Sequence, residues 1–289
     1  MEFTTAEELL ALCGSENITI ADVMRRREST EGELDPQTVE EKMKKALDIM
    51  RDSAHKPMSE ILPSRGGMIG GEAAKLSAHA AAGRSICGSV LTKALIYSQA
   101  VPEVNASMGV IVAAPTAGSS GVLPAVLFAL EEEFGLDEAT VLNGLFTAGA
   151  IGCLLMRNAS VAGAEAGCQA EVGSASAMAA VAMFGGSSQQ SLDAASIALS
   201  NMLGLVCDPI AGLVEAPCQS RNAAGAANAL TSAESVLSGI KAVVPFSEMA
   251  EAMYKVGKRL APELRETALG GCAATPTGCA YKCSIFGCK

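Results

Sequence analysis

The chain has 289 residues and a mass of 29.3 kDa, with 49% apolar and 18% charged side chains. That balance excludes a disordered chain and is ample for a buried core. A net charge of −10 and a pI near 4.8 leave no basic footprint for nucleic acid, and two histidines, His55 and His79, exclude a histidine-rich zinc site.

The N-terminal MEFTTAEELL lacks the basic-then-apolar order of a secretory signal. Residues 1–60 carry 22 charged side chains, whereas residues 101–230 carry 13, so residues 1–65 read as an outer layer of amphipathic helices. Asp35 is placed to cap a helix through Met50, with Val39, Met43, Leu47 and Met50 at helical spacing. PSRGGMIGG (63–71) reads as a loop. Beyond it, Ala-, Leu- and Met-rich stretches between Gly and Pro breaks predict helices over 72–82, 88–100, 103–113, 121–134, 138–157, 170–184, 188–205, 219–238 and 247–260. Period-2 alternation is scarce, and 51 alanines favour helix. The expectation is an all-α fold in a single domain. Its parts are the charged layer (1–65), a core of buried Ala/Gly/Met-rich central helices (66–269) and a Cys-rich tail (270–289).

The apolar run Met108–Leu130 is broken by Pro115, Pro124 and the small-residue stretch 116–121. The run Leu142–Met156 is 15 residues long, against about 20 needed to cross a bilayer. A cytoplasmic chain without a membrane partner is expected, in which ten cysteines are thiols or metal ligands and not a disulfide framework. Cys13, Cys87 and Cys153 sit in apolar or small-residue contexts and read as buried thiols. Cys168, Cys207 and Cys218 each interrupt a Gly/Pro/acid-marked segment (GAEAGCQAEVGSA, LVCDPIAG, EAPCQSRNA) where helices end and backbone amides come free to bond sulfur. Their spacing is no compact CxxC pattern. Cys272, Cys279, Cys283 and Cys288 form a competing quartet suited to zinc or an all-cysteine iron–sulfur site. Spacing alone leaves both sets open.

At these residues the chain resembles the α subunit of the iron–sulfur-dependent L-serine dehydratase (L-serine ammonia-lyase) family. The matching stretches are NASMGVIVAAPTAGSSGVLPAVL (105–127), RNASVAGAEAGCQAEVGSASAMAA (157–180), NMLGLVCDPIAGLVEAPCQSRNAAGAANA (201–229) and RETALGGCAATPTG (265–278). The resemblance implies an all-helical lyase with a [4Fe–4S] cluster on Cys168, Cys207 and Cys218. One iron is then left open to act as a Lewis acid in amino-acid catabolism and gluconeogenesis. It implies L-serine as substrate, a separate β subunit carrying a Ser-Ser-His-Thr loop that is missing from this sequence, and an oligomer. In single-chain relatives a terminal cysteine caps the open iron. Cys279 aligns there, but the tail runs ten residues further, with Cys283 and Cys288 also available. Two competitors accompany this reading: an L-cysteine desulfidase with the same cluster, and a non-catalytic, metal-stabilised helical partner subunit.

The turn Thr116–Gly121 can cradle a carboxylate at a helix N-terminus, so Asn105, Thr116, Gly118 and Ser119 are candidates for holding the amino acid. Asn158 and Ser160 precede Cys168 by a short loop, and Arg221 follows Cys218 by one turn, suited to a substrate carboxylate. Asp208 directly follows Cys207 and suits support of that site or a turn cap. Lys75 shares a helical face with His79 and is the candidate general base.

Overall fold

The computed structural model describes residues 2–181 and 186–287. It is all-α: thirteen α-helices and no strand among the described residues, with one isolated parallel bridge between Cys207 and Arg265. The outer layer is α1 (Ala6–Glu16), α2 (Ile20–Glu31) and α3 (Pro36–His55). Thr5 and Thr19 close capping boxes with Glu8 and Asp22, and Asp35 accepts the Thr38 N–H ahead of a first-turn proline. Each cap satisfies an orphan amide of its helix start.

Next come α4 (Glu72–Ala81), α5 (Ser89–Ala106), α6 (Val122–Phe134) and α7 (Glu138–Asn158). They are followed by the one-turn α8 (Gly163–Ala166), then α9 (Cys168–Ala180), α10 (Ser188–Met202), α11 (Cys218–Leu237), α12 (Phe246–Arg259) and α13 (Pro276–Phe286). Helix α9 is the axis of the molecule, packed against α6, α7, α10 and α11. All of its residues except Glu171 are buried, as expected for a helix apolar nearly all round. Small residues bring α9 and α11 together. Ser176 Oγ donates to Gly225 O at 2.9 Å, and a Cβ on Gly225 would stand 2.8 Å from Val172 Cγ1. The charged layer lies outside, α2 on α7 and α3 on α5.

Three expectations are corrected. The helices expected over 88–100 and 103–113 are one helix, α5, with Pro102 inside it. Pro102 has no N–H for Ser98 O, and the backbone of Gly121 packs against that carbonyl, where an added Cβ would come within 2.7 Å. The helix stops at Ala106 because Met108 takes φ 65° and Gly109 N–H turns back to Val104 O at 2.8 Å. Residues 109–113 therefore lie outside any helix. Helix α7 is 21 residues long and, by length and composition alone, apolar enough to cross a membrane, with 61% of that window buried in this fold. The stretch expected over 170–184 ends as helix at Ala180, and 182–184 lie outside the described residues.

Candidate active site at Cys168, Cys207 and Glu171

Three separate backbone devices deliver the three cysteines. Cys168 is the first residue of α9. Gly167 before it has φ 78°, and a Cβ there would sit 2.7 Å from Leu205 O, so glycine is needed for the turn. Cys218 is the first residue of α11. Cys207 lies in extended chain, its N–H donating to Leu264 O at 2.9 Å and its carbonyl accepting from Glu266 N at 2.7 Å. Cys168 and Cys218 therefore each stand at a helix N-terminus.

The sulfurs of Cys168 and Cys207 and a carboxylate oxygen of Glu171 lie within 4.8 Å of one another. Cys207 Sγ stands 3.8 Å from Glu171 Oε2. The other carboxylate oxygen accepts from Thr116 Oγ1 at 2.9 Å, and Thr116 Oγ1 is 3.1 Å from Ser119 Oγ. Two glycines form the wall. A Cβ on Gly118 would come within 3.3 Å of Glu171 Oε1, and one on Gly163 would lie 2.5 Å from Glu171 Oε2 and 3.0 Å from Cys207 Sγ.

The Cys207 thiol donates to Cys168 and lowers its pKa, and Arg221 Nη1, 3.5 Å from the sulfur, works the same way against the cost of burial. Cys207 is correspondingly pushed up, by that bond and by burial. Burial, then the charges of Cys168 and Glu171, push Cys218 up to about 12. Burial also raises Glu171 above the usual carboxylate range, against the Thr116 hydrogen bond. Arg221 donates to Val206 O at 2.8 Å, and its Nη1 is 2.6 Å from Asp208 Oδ1, an ion pair outside hydrogen-bond geometry.

Thr116, Gly118, Ser119 and Arg221 thus stand with Cys168 and Cys207. Cys218 is buried one turn before Arg221 and within electrostatic reach of Cys168, outside the closest trio. Asn105 is half-buried at the end of α5, its carbonyl taking the Met108 N–H. Asn158 donates to Thr4 O and Leu154 O at 2.8 and 3.0 Å and so pins the N-terminal segment. Ser160 donates to Glu165 at 2.6 Å and accepts from Ala162 N at 3.2 Å, so its hydroxyl is engaged locally at the approach to α8. Lys75 is 74% exposed and pairs with Glu72 on its own helix, so the burial a catalytic lysine requires is missing. Cys279 is exposed, 3.8 Å from Ala273 O; Cys283 is disulfide-bonded; Cys288 lies outside the described residues. An apolar groove, lined by Val126, Leu130, Leu230 and Leu237, lies at the other ends of α9 and α11.

Sequence reasoning missed Glu171 and Asn222. The sequence signal for Glu171 was a single carboxylate in an otherwise uncharged interior helix, since charges are rarely buried without a partner. Asn222, fully buried, donates to Gly118 O at 2.8 Å and accepts from Gly121 N at 2.9 Å, fixing the turn 116–121 on α11.

Fold and site define an all-α protein with a buried thiol–carboxylate donor set of the kind that takes a metal. The chain belongs to the serine dehydratase alpha chain family, whose model matches residues 15–273. It is 46% identical over 288 residues to the probable L-serine dehydratase, alpha chain, of Bacillus subtilis (strain 168), covering 99% of this chain and 96% of the relative. It is also 46% identical over 277 residues to the L-serine dehydratase, alpha chain, of Peptoniphilus asaccharolyticus, covering 95% of each. The match to the L-serine dehydratase of Helicobacter pylori (strain ATCC 700392 / 26695) is 35% over 283 residues and takes in 62% of that longer protein.

Proposed function

We propose that this chain is the catalytic subunit of a cytoplasmic L-serine ammonia-lyase that converts L-serine to pyruvate and ammonia together with a separate β subunit. What carries the reading, within the serine dehydratase alpha chain family, is the meeting of Cys168 and Cys207 with Glu171, beside a buried Cys218. Buried thiols close to one another, two of them at helix starts and beside Arg221, are the donor chemistry an iron–sulfur group takes. A [4Fe–4S] cluster on Cys168, Cys207 and Cys218 would supply, when bound, a Lewis acid for serine's departing hydroxide.

The chain's own residues bind and orient the substrate. Arg221 balances thiolate charge at Cys168. The turn Thr116–Ser119, fixed by Asn222, presents small side chains, hydroxyls and amides to an amino acid. Glu171, held by Thr116, is the carboxylate nearest the sulfurs and suits the substrate's ammonium. A base, which we assign to the β subunit, would take the α-proton as the Cβ–O bond breaks and hydroxide leaves, forming the Cα=Cβ bond of aminoacrylate, which tautomerises to an imine and is hydrolysed to pyruvate and ammonia.

The deciding experiment is anaerobic iron and sulfide reconstitution, with pyruvate measured from L-serine with and without a β subunit. Serine-dependent pyruvate, lost in air, is the expected result. Sulfide released from L-cysteine with no serine turnover would replace this reading by a desulfidase. Bound metal whose spectrum neither amino acid changes would replace it by a structural metal site.

A further inference from the structure

Asp208 is 2% exposed and directly follows Cys207. Its two carboxylate oxygens face in different directions. Oδ1 pairs with Arg221 Nη1 at 2.6 Å, and that guanidinium reaches Cys168 Sγ at 3.5 Å. Oδ2 accepts the backbone N–H of Cys272 at 2.6 Å. Gly271, beside that amide, has φ 57°, and a Cβ on it would lie 2.1 Å from Asp208 Oδ2. The turn at 271–274 is therefore built around the carboxylate, and it leads directly into α13, which packs on the 3-10 turn Ile210–Gly212 just after Asp208.

We infer that Asp208 is a positioning residue. One oxygen tethers the strap Leu269–Phe286 beside the cysteine pocket, and the other fixes Arg221 against Cys168. The strap's attachment and the setting of the thiolate's counter-charge thus pass through one buried carboxylate. The Cys207–Arg265 bridge holds the strap's approach, but across residues 265–286 Asp208 is the side chain of the pocket region that takes a strap amide at this distance. The tether is independent of what the pocket binds. Its bearing on catalysis rests on the proposed serine reading.

The test is amide hydrogen exchange over residues 267–281 in the full-length protein, without substrate, in wild type, Asp208→Ala, Asp208→Asn and Gly271→Ala. Losing a charge-assisted hydrogen bond to a buried carboxylate is expected to speed exchange at the Cys272 amide about ten-fold or more in Asp208→Ala. Gly271→Ala, which attacks the contact from the strap side by crowding the Asp208 carboxylate, is expected to do the same. Asp208→Asn keeps an acceptor and is expected to restore exchange to within about two-fold of wild type. Exchange over α7 serves as the folding control. Wild-type exchange in Gly271→Ala and Asp208→Ala, or no rescue by Asp208→Asn, overturns the tether. The expected exchange pattern in a protein that does not turn over serine would sink the proposed function and leave the tether standing.

Discussion

Asn222, one turn after Cys218 on α11, accepts the backbone N–H of Gly121 at 2.9 Å across 101 residues of sequence. Its amide nitrogen donates to Gly118 O at 2.8 Å and to Cys218 O at 2.9 Å. One fully buried side chain therefore sets the turn that presents Thr116 to Glu171. Asn222→Ala leaves a buried amide and carbonyl unpaired, which costs about 2–4 kcal/mol and is read as a lower urea midpoint. Asn222→Asp keeps the Gly121 bond but loses both donors, and is expected to fall between the two. A midpoint for Asn222→Ala equal to wild type would show that the turn holds its own shape.

The cysteine assignment separates on iron content after anaerobic reconstitution. Cys168→Ala, Cys207→Ala and Cys218→Ala are each expected to retain little or no iron. Cys13, buried in the α1 layer, is a packing thiol whose pKa burial raises, so Cys13→Ala is expected to bind iron normally and to lose about 1 kcal/mol of stability. Cys279, exposed on α13, is expected to be dispensable for retention. Full iron in all three ligand variants would remove the metal centre.

The fold was legible where the signal is local. Asp35 caps its helix through its own side chain as expected, and α6, α7 and α12 fall within a residue or two of the expected bounds. The three cysteines stood out because each sits at a Gly- or Pro-marked helix start or chain bend, which is also local. Glu171 was harder, because its partner Thr116 is 55 residues away and nothing in GAEAGCQAEVG encodes that distance. Lys75 illustrates the converse error. Its i, i+4 relation to His79 holds on α4, but periodicity does not tell which face packs, and that face meets solvent. Asn158 was placed by proximity in sequence to Cys168, whereas the end of α7 points its amide at Thr4.

Glycines of similar sequence context are expected to behave oppositely. At Gly163 a Cβ would enter the space of Glu171 and Cys207, at 2.5 and 3.0 Å, so Gly163→Ala must displace the donor set and is expected to lower iron retention and pyruvate formation together. At Gly149, inside α7, the nearest atom is Met24 Cε at 3.9 Å, an ordinary contact. Gly149→Ala is therefore expected to stabilise the protein by about 0.5–1 kcal/mol through helix propensity with activity unchanged. Thermal midpoints and iron content of the two variants decide the matter, and equal effects at both positions would contradict this account of the pocket wall.

Acid sensitivity is expected to come partly from the seam between the outer layer and the core, far in sequence from the cysteines. Glu132 on α6 accepts from Tyr97 OH at 2.7 Å, lies 3.1 Å from His55 Nε2 and pairs with Lys93 Nζ at 2.9 Å, joining α3, α5 and α6. Burial pushes its carboxyl up, but the Tyr97, Lys93 and His55 bonds outweigh that and hold it below the usual glutamate range. Because the folded value lies below the unfolded value of about 4.3, the folded state keeps this carboxylate ionised where the unfolded chain would protonate it. The resulting stability is whole above that unfolded value and fades as pH falls through the folded one. Glu132→Gln is thus expected to lower the thermal midpoint at pH 7 and to converge on wild type as pH falls through the folded value. A gap between the two proteins that stays constant over that range would assign the loss to neutral hydrogen bonding and not to the charge.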